Sequence, residues 1–101
     1  MVLSIREESP SGESLYEATI EFLTERITVR DLIRERVLHE VRRQPFANDP
    51  EVQVEQALHG FDNNAFFVLI GNEQADRLDQ EFTVGPATAV IFVKLIPLVG
   101  G

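Results

Sequence analysis

The last two residues of the sequence, Gly100 and Gly101, are the first candidates for chemistry. A free α-carboxylate has an ordinary pKa of about 3.3 to 3.7, so the Gly101 carboxylate is ionised at neutral pH and can attack an activated phosphate without pKa tuning. Two residues without Cβ atoms let a chain end pass a narrow channel and let another backbone approach closely. Pro97 to Gly101, fully extended, reach at most about 17 Å, enough to enter a pocket on another protein while the rest of the chain stays outside. Pro97, Leu98, Val99, Gly100 and Gly101 are therefore the candidate recognition segment, with Gly101 the candidate point of covalent attachment.

The other chemistry-bearing residues form no catalytic constellation. Glu7 with Glu8, or Asp79 with Glu81, would be paired carboxylates, but neither pair has a His, Ser or metal ligand of the right kind near it in sequence, and all four are expected to be solvated acids. His39 and His59 lie twenty positions apart and are expected at the surface or its boundary. With no cysteine in the chain, thiol chemistry is absent and Cys/His metal sites are excluded. No catalytic residue, metal site or bound cofactor is assigned.

Composition narrows the classes further. At 101 residues, 44% hydrophobic and 26% charged, the chain has the make-up and size of one globular domain with a single core. Seventeen acidic against nine basic residues give a net charge of −8, which opposes binding a polyanion, so nucleic acid is not an expected partner. Six of the nine basic residues are Arg26, Arg30, Arg34, Arg36, Arg42 and Arg43. This cluster is expected to be a solvated helix face with Asp31, Glu35 and Glu40 as neighbours. Lysine occurs once, at Lys94. No apolar run reaches the roughly 18 residues of a membrane span, and the opening residues lack a signal peptide's pattern, so a soluble, cytoplasmic protein without membrane contact is expected.

Periodicity supplies the elements. Met1, Leu3 and Ile5 alternate with Val2, Ser4 and Arg6. After the break at Ser9-Pro10-Ser11-Gly12, Tyr16, Ala18, Ile20 and Phe22 alternate with Glu17, Thr19 and Glu21, which predicts an opening β-hairpin. Thr28-x-x-Asp31 resembles a capping box flanked by the staple pair Ile27 and Leu32, and the stripe Val29, Leu32, Ile33, Val37, Val41 predicts a helix that Pro45 ends near Arg43 or Gln44. Asp49-Pro50 and Val54, Ala57, Leu58, Phe61 predict a short second helix ended by Gly60 and Asp62-Asn63-Asn64. Phe66–Ile70 reads as a central strand buried on both faces, Glu73–Thr83 as polar with room for one short edge strand and with Leu78 and Phe82 as anchors, and Ala87–Ile96 as a last strand after the Gly85-Pro86 turn. Phe46, Phe61, Phe66 and Phe67 are expected in the core or at its rim, and an exposed one would mark an interface. The helix crossover is expected to set the first and last strands side by side.

A hairpin from Met1, the N-capped helix at Ile27-Thr28-Val29-Arg30-Asp31-Leu32 and an apolar last strand running into Gly100-Gly101 resemble a β-grasp protein of the ubiquitin-like superfamily, over most of the chain except 44–64. The resemblance implies an α+β fold, a mixed sheet of four to five strands packed on one main helix plus a short second helix, with a domain over 1–96 and a tail over 97–101. It also implies a protein modifier whose Gly101 carboxylate is adenylated by an E1-like activating enzyme, with ATP and Mg used by that enzyme, and then joined to target proteins. Ubiquitin carries arginines just before its diglycine and this chain has none there; Ile96-Pro97-Leu98-Val99-Gly100-Gly101 looks more like the apolar, proline-containing tails of sulfur carriers such as the small subunit of molybdopterin synthase, in which a thiocarboxylate is handed to a sulfur-accepting enzyme. A non-covalent interaction module is the third class.

Overall fold

The opening alternation does form a hairpin. In the computed structural model, which describes residues 1–43 and 49–95, β1 (Val2–Glu8) and β2 (Ser14–Glu21) pair antiparallel, with Leu3 opposite Ile20 and Ile5 opposite Ala18. Leu3 and Ile5 are fully buried, and the alternation continues to a third inward residue, Glu7, at 6% exposure. The connecting turn uses Gly12 at φ +90°, a region that favours glycine, and its N–H donates to the Ser9 carbonyl at 2.9 Å.

A three-residue strand, β3 (Arg26–Thr28), leads into α1 (Val29–Val41). Both arms of the capping box are made: the Asp31 N–H donates to Thr28 Oγ1 at 3.1 Å and the Thr28 N–H to Asp31 Oδ2 at 3.2 Å. Ile27 and Leu32 are both buried. The helix closes at Val41 with Arg42 as its C-cap, and the Arg43 N–H reaches back three residues to the Glu40 carbonyl, tightening the last turn before Pro45. Gln44, Pro45 and Phe46 lie outside the described residues.

Two expectations about the next segment are corrected. The second helix, α2 (Pro50–Asp62), has thirteen residues, as many as α1, and is not short. Asp49 caps it, its side chain accepting the Glu51 N–H at 2.9 Å, with Pro50 at the first helical position. Gly60 lies inside the helix, where a Cβ would stand 3.4 Å from Phe66 Cε1 and 3.6 Å from the Ala65 Cβ, ordinary contact distances. The end comes at Asn63 and Asn64, Asn64 adopting φ 60°.

The remaining strands are β4 (Phe66–Ile70), β5 (Glu73–Gln74), β6 (Glu81–Thr83) and β7 (Val90–Lys94). The main sheet has five strands in the order β2-β1-β7-β4-β5, with β1 parallel to β7 and its other pairs antiparallel, while β3 and β6 form a separate pair. First and last strands are thus neighbours, and β7 rather than β4 holds the centre. The polar stretch contributes two short strands, one more than expected, and its anchors include the buried Ala75 and Val84 beside the partly buried Leu78 and Phe82. β7 is shorter than the apolar run, because Gly85–Thr88 forms a turn closed by the Thr88 N–H on the Gly85 carbonyl and the Gly85 N–H on Thr88 Oγ1, both 2.9 Å.

Both helices contribute to a single core with the inward residues of the sheet, among them Leu3, Ile5, Val68, Val90 and Phe92 against Leu32, Ile33, Val54 and Leu58. The chain is α+β, a mixed sheet with two helices, an arrangement compatible with a β-grasp. β4 is therefore buried on one face only: Val68 and Ile70 are buried, while Phe67 and Leu69 are half-buried on the side facing away from the core. No helix among the described residues is long and apolar enough to cross a membrane.

Candidate functional site

Pro97, Leu98, Val99, Gly100 and Gly101 all lie outside the described residues. Their point of departure is described. β7 is held on both sides, by β1 and by β4, through Lys94 opposite Phe66, and the Leu95 N–H donates to the Ala65 carbonyl at 3.2 Å. A segment following Leu95 therefore starts from a strand paired on both sides.

Beside that point sits a charge cluster that the sequence reading assigned to solvent. Glu7 and Arg36, with side chains 8% and 7% exposed, form an ion pair beneath α1. Lys94 Nζ lies 3.5 Å from the second Glu7 oxygen, Arg36 also donates to Glu40 at 2.9 Å, and its guanidinium stacks 4.0 Å from the centre of the Tyr16 ring. The Tyr16 hydroxyl in turn meets His39 Nδ1 at 3.1 Å. Glu7 is thus no solvated acid and Arg36 no solvated base. Each is carried inward by its element's periodicity, Glu7 two residues beyond Ile5 on β1 and Arg36 three beyond Ile33 on α1, and each charge taken from water is met by the other. A cavity of about 190 Å³ adjoins the cluster, with Ile33, Val37, Ala57, Phe66 and Phe92 forming its apolar wall.

The other arginines do not make one face. Arg26 pairs with Glu81 at 3.7 Å, and Arg34 makes a two-pronged bond to Glu51 of α2 at 2.7 and 3.0 Å, while Arg30, Arg42 and Arg43 are exposed. The Arg34 hydrogen bonds, with its charge, hold the Glu51 carboxyl below its ordinary range and raise Arg34 above its own. Glu8 is half-buried against Arg6 at 3.2 Å, Asp79 is exposed beside Arg77, and Glu81 is exposed. His59 is exposed at the end of α2. Among the described residues no group of three or more His, Asp or Glu is arranged to hold a metal ion.

The sequence reading also missed a surface. On the sheet face turned away from the helices, Phe67 pairs with Val93 and Leu69 with Ile91, four half-buried apolar side chains in two adjacent rows on β4 and β7. The signal was present in the unbroken run Phe66–Ile70: with both helices on one side, alternate residues of such a strand must face the other side. Phe66 points inward and stacks on Phe92 at 5.8 Å. No protein-family model, no curated protein and no solved structure matches the chain.

Proposed function

We propose that the protein is a ubiquitin-like modifier: an activating enzyme adenylates the Gly101 carboxylate with Mg-ATP, the acyl group passes to an enzyme nucleophile, and Gly101 ends in an amide with a target amine. The observation that carries the reading is the junction at Lys94, where the centre strand of a mixed sheet compatible with a β-grasp continues in sequence to Pro97-Leu98-Val99-Gly100-Gly101. The folded part supplies a recognisable body, including the apolar rows Phe67–Val93 and Leu69–Ile91 shared by β4 and β7, the latter being the strand that leads to the tail. The chain's chemistry is to present a carboxylate: Gly100 and Gly101 admit the end to a narrow site, and the carboxylate attacks the α-phosphate of ATP, releasing pyrophosphate. The protein acts as the substrate of its activating enzyme.

A second reading is favoured by the tail itself. Its apolar, proline-containing sequence suits a sulfur carrier, in which sulfide from a sulfur donor attacks the same adenylate, AMP leaves, and the resulting Gly101 thiocarboxylate passes its sulfur to an accepting enzyme. Intact mass after incubation with ATP, a sulfide donor and the cognate activating enzyme separates the classes. Covalent protein adducts support the modifier, exchange of one oxygen for sulfur the carrier, and an unchanged mass the interaction module. Deleting Gly101, or both glycines, is expected to abolish activation and leave the melting temperature unchanged; undiminished adenylation of the truncated protein overturns the assignment of Gly101.

A further inference from the structure

The cavity beside the Glu7–Arg36 pair has a wall that neither the ion pair nor the tail uses. It lies between α1, α2 and the ends of β4 and β7 that carry Phe66 and Lys94, is about 190 Å³ in volume, and has Glu40 and Lys94 as its exposed members. Protein interiors hold few voids larger than a water molecule, because an unfilled apolar wall forfeits its dispersion contacts. An apolar cavity of about 150 Å³ stays dry and accepts a six-carbon ring. The inner wall here has that character, with Ile33, Val37 and Ala57 from the helices and, from the sheet, Phe66 and Phe92, whose rings stack at 5.8 Å. An aromatic ring is therefore the body that suits it.

Charge decides the other end of the ligand. Among the described residues two anions, Glu7 and Glu40, and two cations, Arg36 and Lys94, line the cavity, so its wall is neutral as a whole. Glu7 and Arg36 are covered and neutralise each other, whereas the two exposed members keep binding capacity. Lys94 Nζ stands 3.5 Å from Glu7, too far to commit its three donors there. Glu40 gives Oε2 to Arg36 Nη1 and retains its remaining acceptor positions. Arg36 Nε is covered and has no acceptor among the described residues, so an unmet donor stands in the same wall, and a donor left in that state is costly. An anion alone or a cation alone would unbalance this wall. A ligand carrying one of each leaves every charge with a partner.

We propose that this cavity binds a free aromatic α-amino acid, its ring against Phe66 and Phe92, its carboxylate on Lys94 at the side where Arg36 lacks an acceptor, and its ammonium on Glu40. The site uses none of the residues after Leu95, so it stands apart from the chemistry of Gly101.

The probe is L-phenylalanine, titrated into the full-length protein while backbone and methyl NMR signals are followed residue by residue. Saturable shifts are expected at Ile33, Val37 and Ala57. Phenylpropionate, which lacks the ammonium, and phenethylamine, which lacks the carboxylate, are each expected to bind about tenfold or more weakly. Glu40→Gln and Lys94→Gln, both at exposed positions, are each expected to weaken phenylalanine binding by about tenfold, the first leaving phenylpropionate binding unchanged and the second leaving phenethylamine binding unchanged. Should either variant fail to fold, the ligand series on the wild-type protein decides. No saturable shift by about 10 mM phenylalanine overturns the proposal. Equal binding of phenylpropionate or phenethylamine overturns it too, by removing the need for both charges. Equal binding of N-acetyl-phenylalanine amide, which carries the ring with neither charge, overturns it by giving the cavity to a side chain of a partner protein.

Discussion

Arg34 and Arg36 are two residues apart on α1 and each meets a glutamate, yet the two pairs live in different media. Two positions along an α-helix are about 200° around its axis, so one side chain leaves the core where the other enters it. Arg34 reaches Glu51 of α2 across solvent, both side chains well exposed, whereas Arg36 meets Glu7 beneath the helix with both more than nine-tenths covered. Chemically the pairs are alike; energetically they differ because water screens the first and must be stripped from the second. Residue type announces a charge, and position on the stripe decides what that charge costs.

The comparison breaks most sharply at the buried pair. Arg36→Met leaves Glu7 with only Lys94 for compensation and is expected to destabilise the protein by about 3 to 5 kcal/mol, read from the denaturant midpoint. Adding Glu7→Leu to Arg36→Met is expected to restore most of that loss, since an apolar pair of similar volume removes the unpaired buried charge. A double variant no better than the single one would show that the pair holds the fold by more than its charges. The neutral lining of the same helix face calibrates the scale: Leu32→Ala and Ile33→Ala are each expected to cost about 2 to 5 kcal/mol through lost burial and residual cavity.

The exposed pair gives the smallest effect, and pH reveals it. Because Arg34 depresses the Glu51 pKa from its ordinary 4.5, the pair's contribution is present above pH 4.5 and is lost as pH falls through the lowered value. Wild type should therefore lose stability over that acid window relative to Glu51→Gln, with the two converging at low pH and the gap at neutral pH shrinking in added salt. A gap independent of both pH and salt would mean that the Arg34–Glu51 contact is steric.

Much of the architecture was legible because local signals agreed. The capping box at Thr28, the Asp49-Pro50 start of α2 and the alternation of β1 and β2 all form where their chemistry says they should. That β1 and β7 are neighbours was expected from the helix crossover, and the structure adds that they pair parallel. What escaped were facts that depend on two distant segments meeting. The stripe at Val29, Leu32 and Ile33 continues through Arg36, and the alternation at Leu3 and Ile5 continues through Glu7, so each charge was visibly on an inward position; that the two would neutralise each other requires knowing that β1 passes beneath α1. The pairing of β3 with β6 is of the same kind, two three-residue strands about 55 positions apart and too short to register as a pattern. Of the candidate site, the sequence names the residues from Pro97 to Gly101, and the fold supplies the strand from which they depart.

The strand order also bears on how the chain comes into being. Without β7 the main sheet falls into two pieces, β2 with β1 and β4 with β5, and the strand that joins them follows every other element among the described residues. On a ribosome the opening hairpin and both helices emerge while the inner edges of β1 and β4 are still bare, and the sheet closes only when Val90 to Lys94 has cleared the exit tunnel. Until then Leu3, Ile5, Val68 and Ile70 flank an unfilled slot, the state in which a nascent chain is most exposed to chaperones and to mispairing with other chains. The centre strand acts as a keystone laid last.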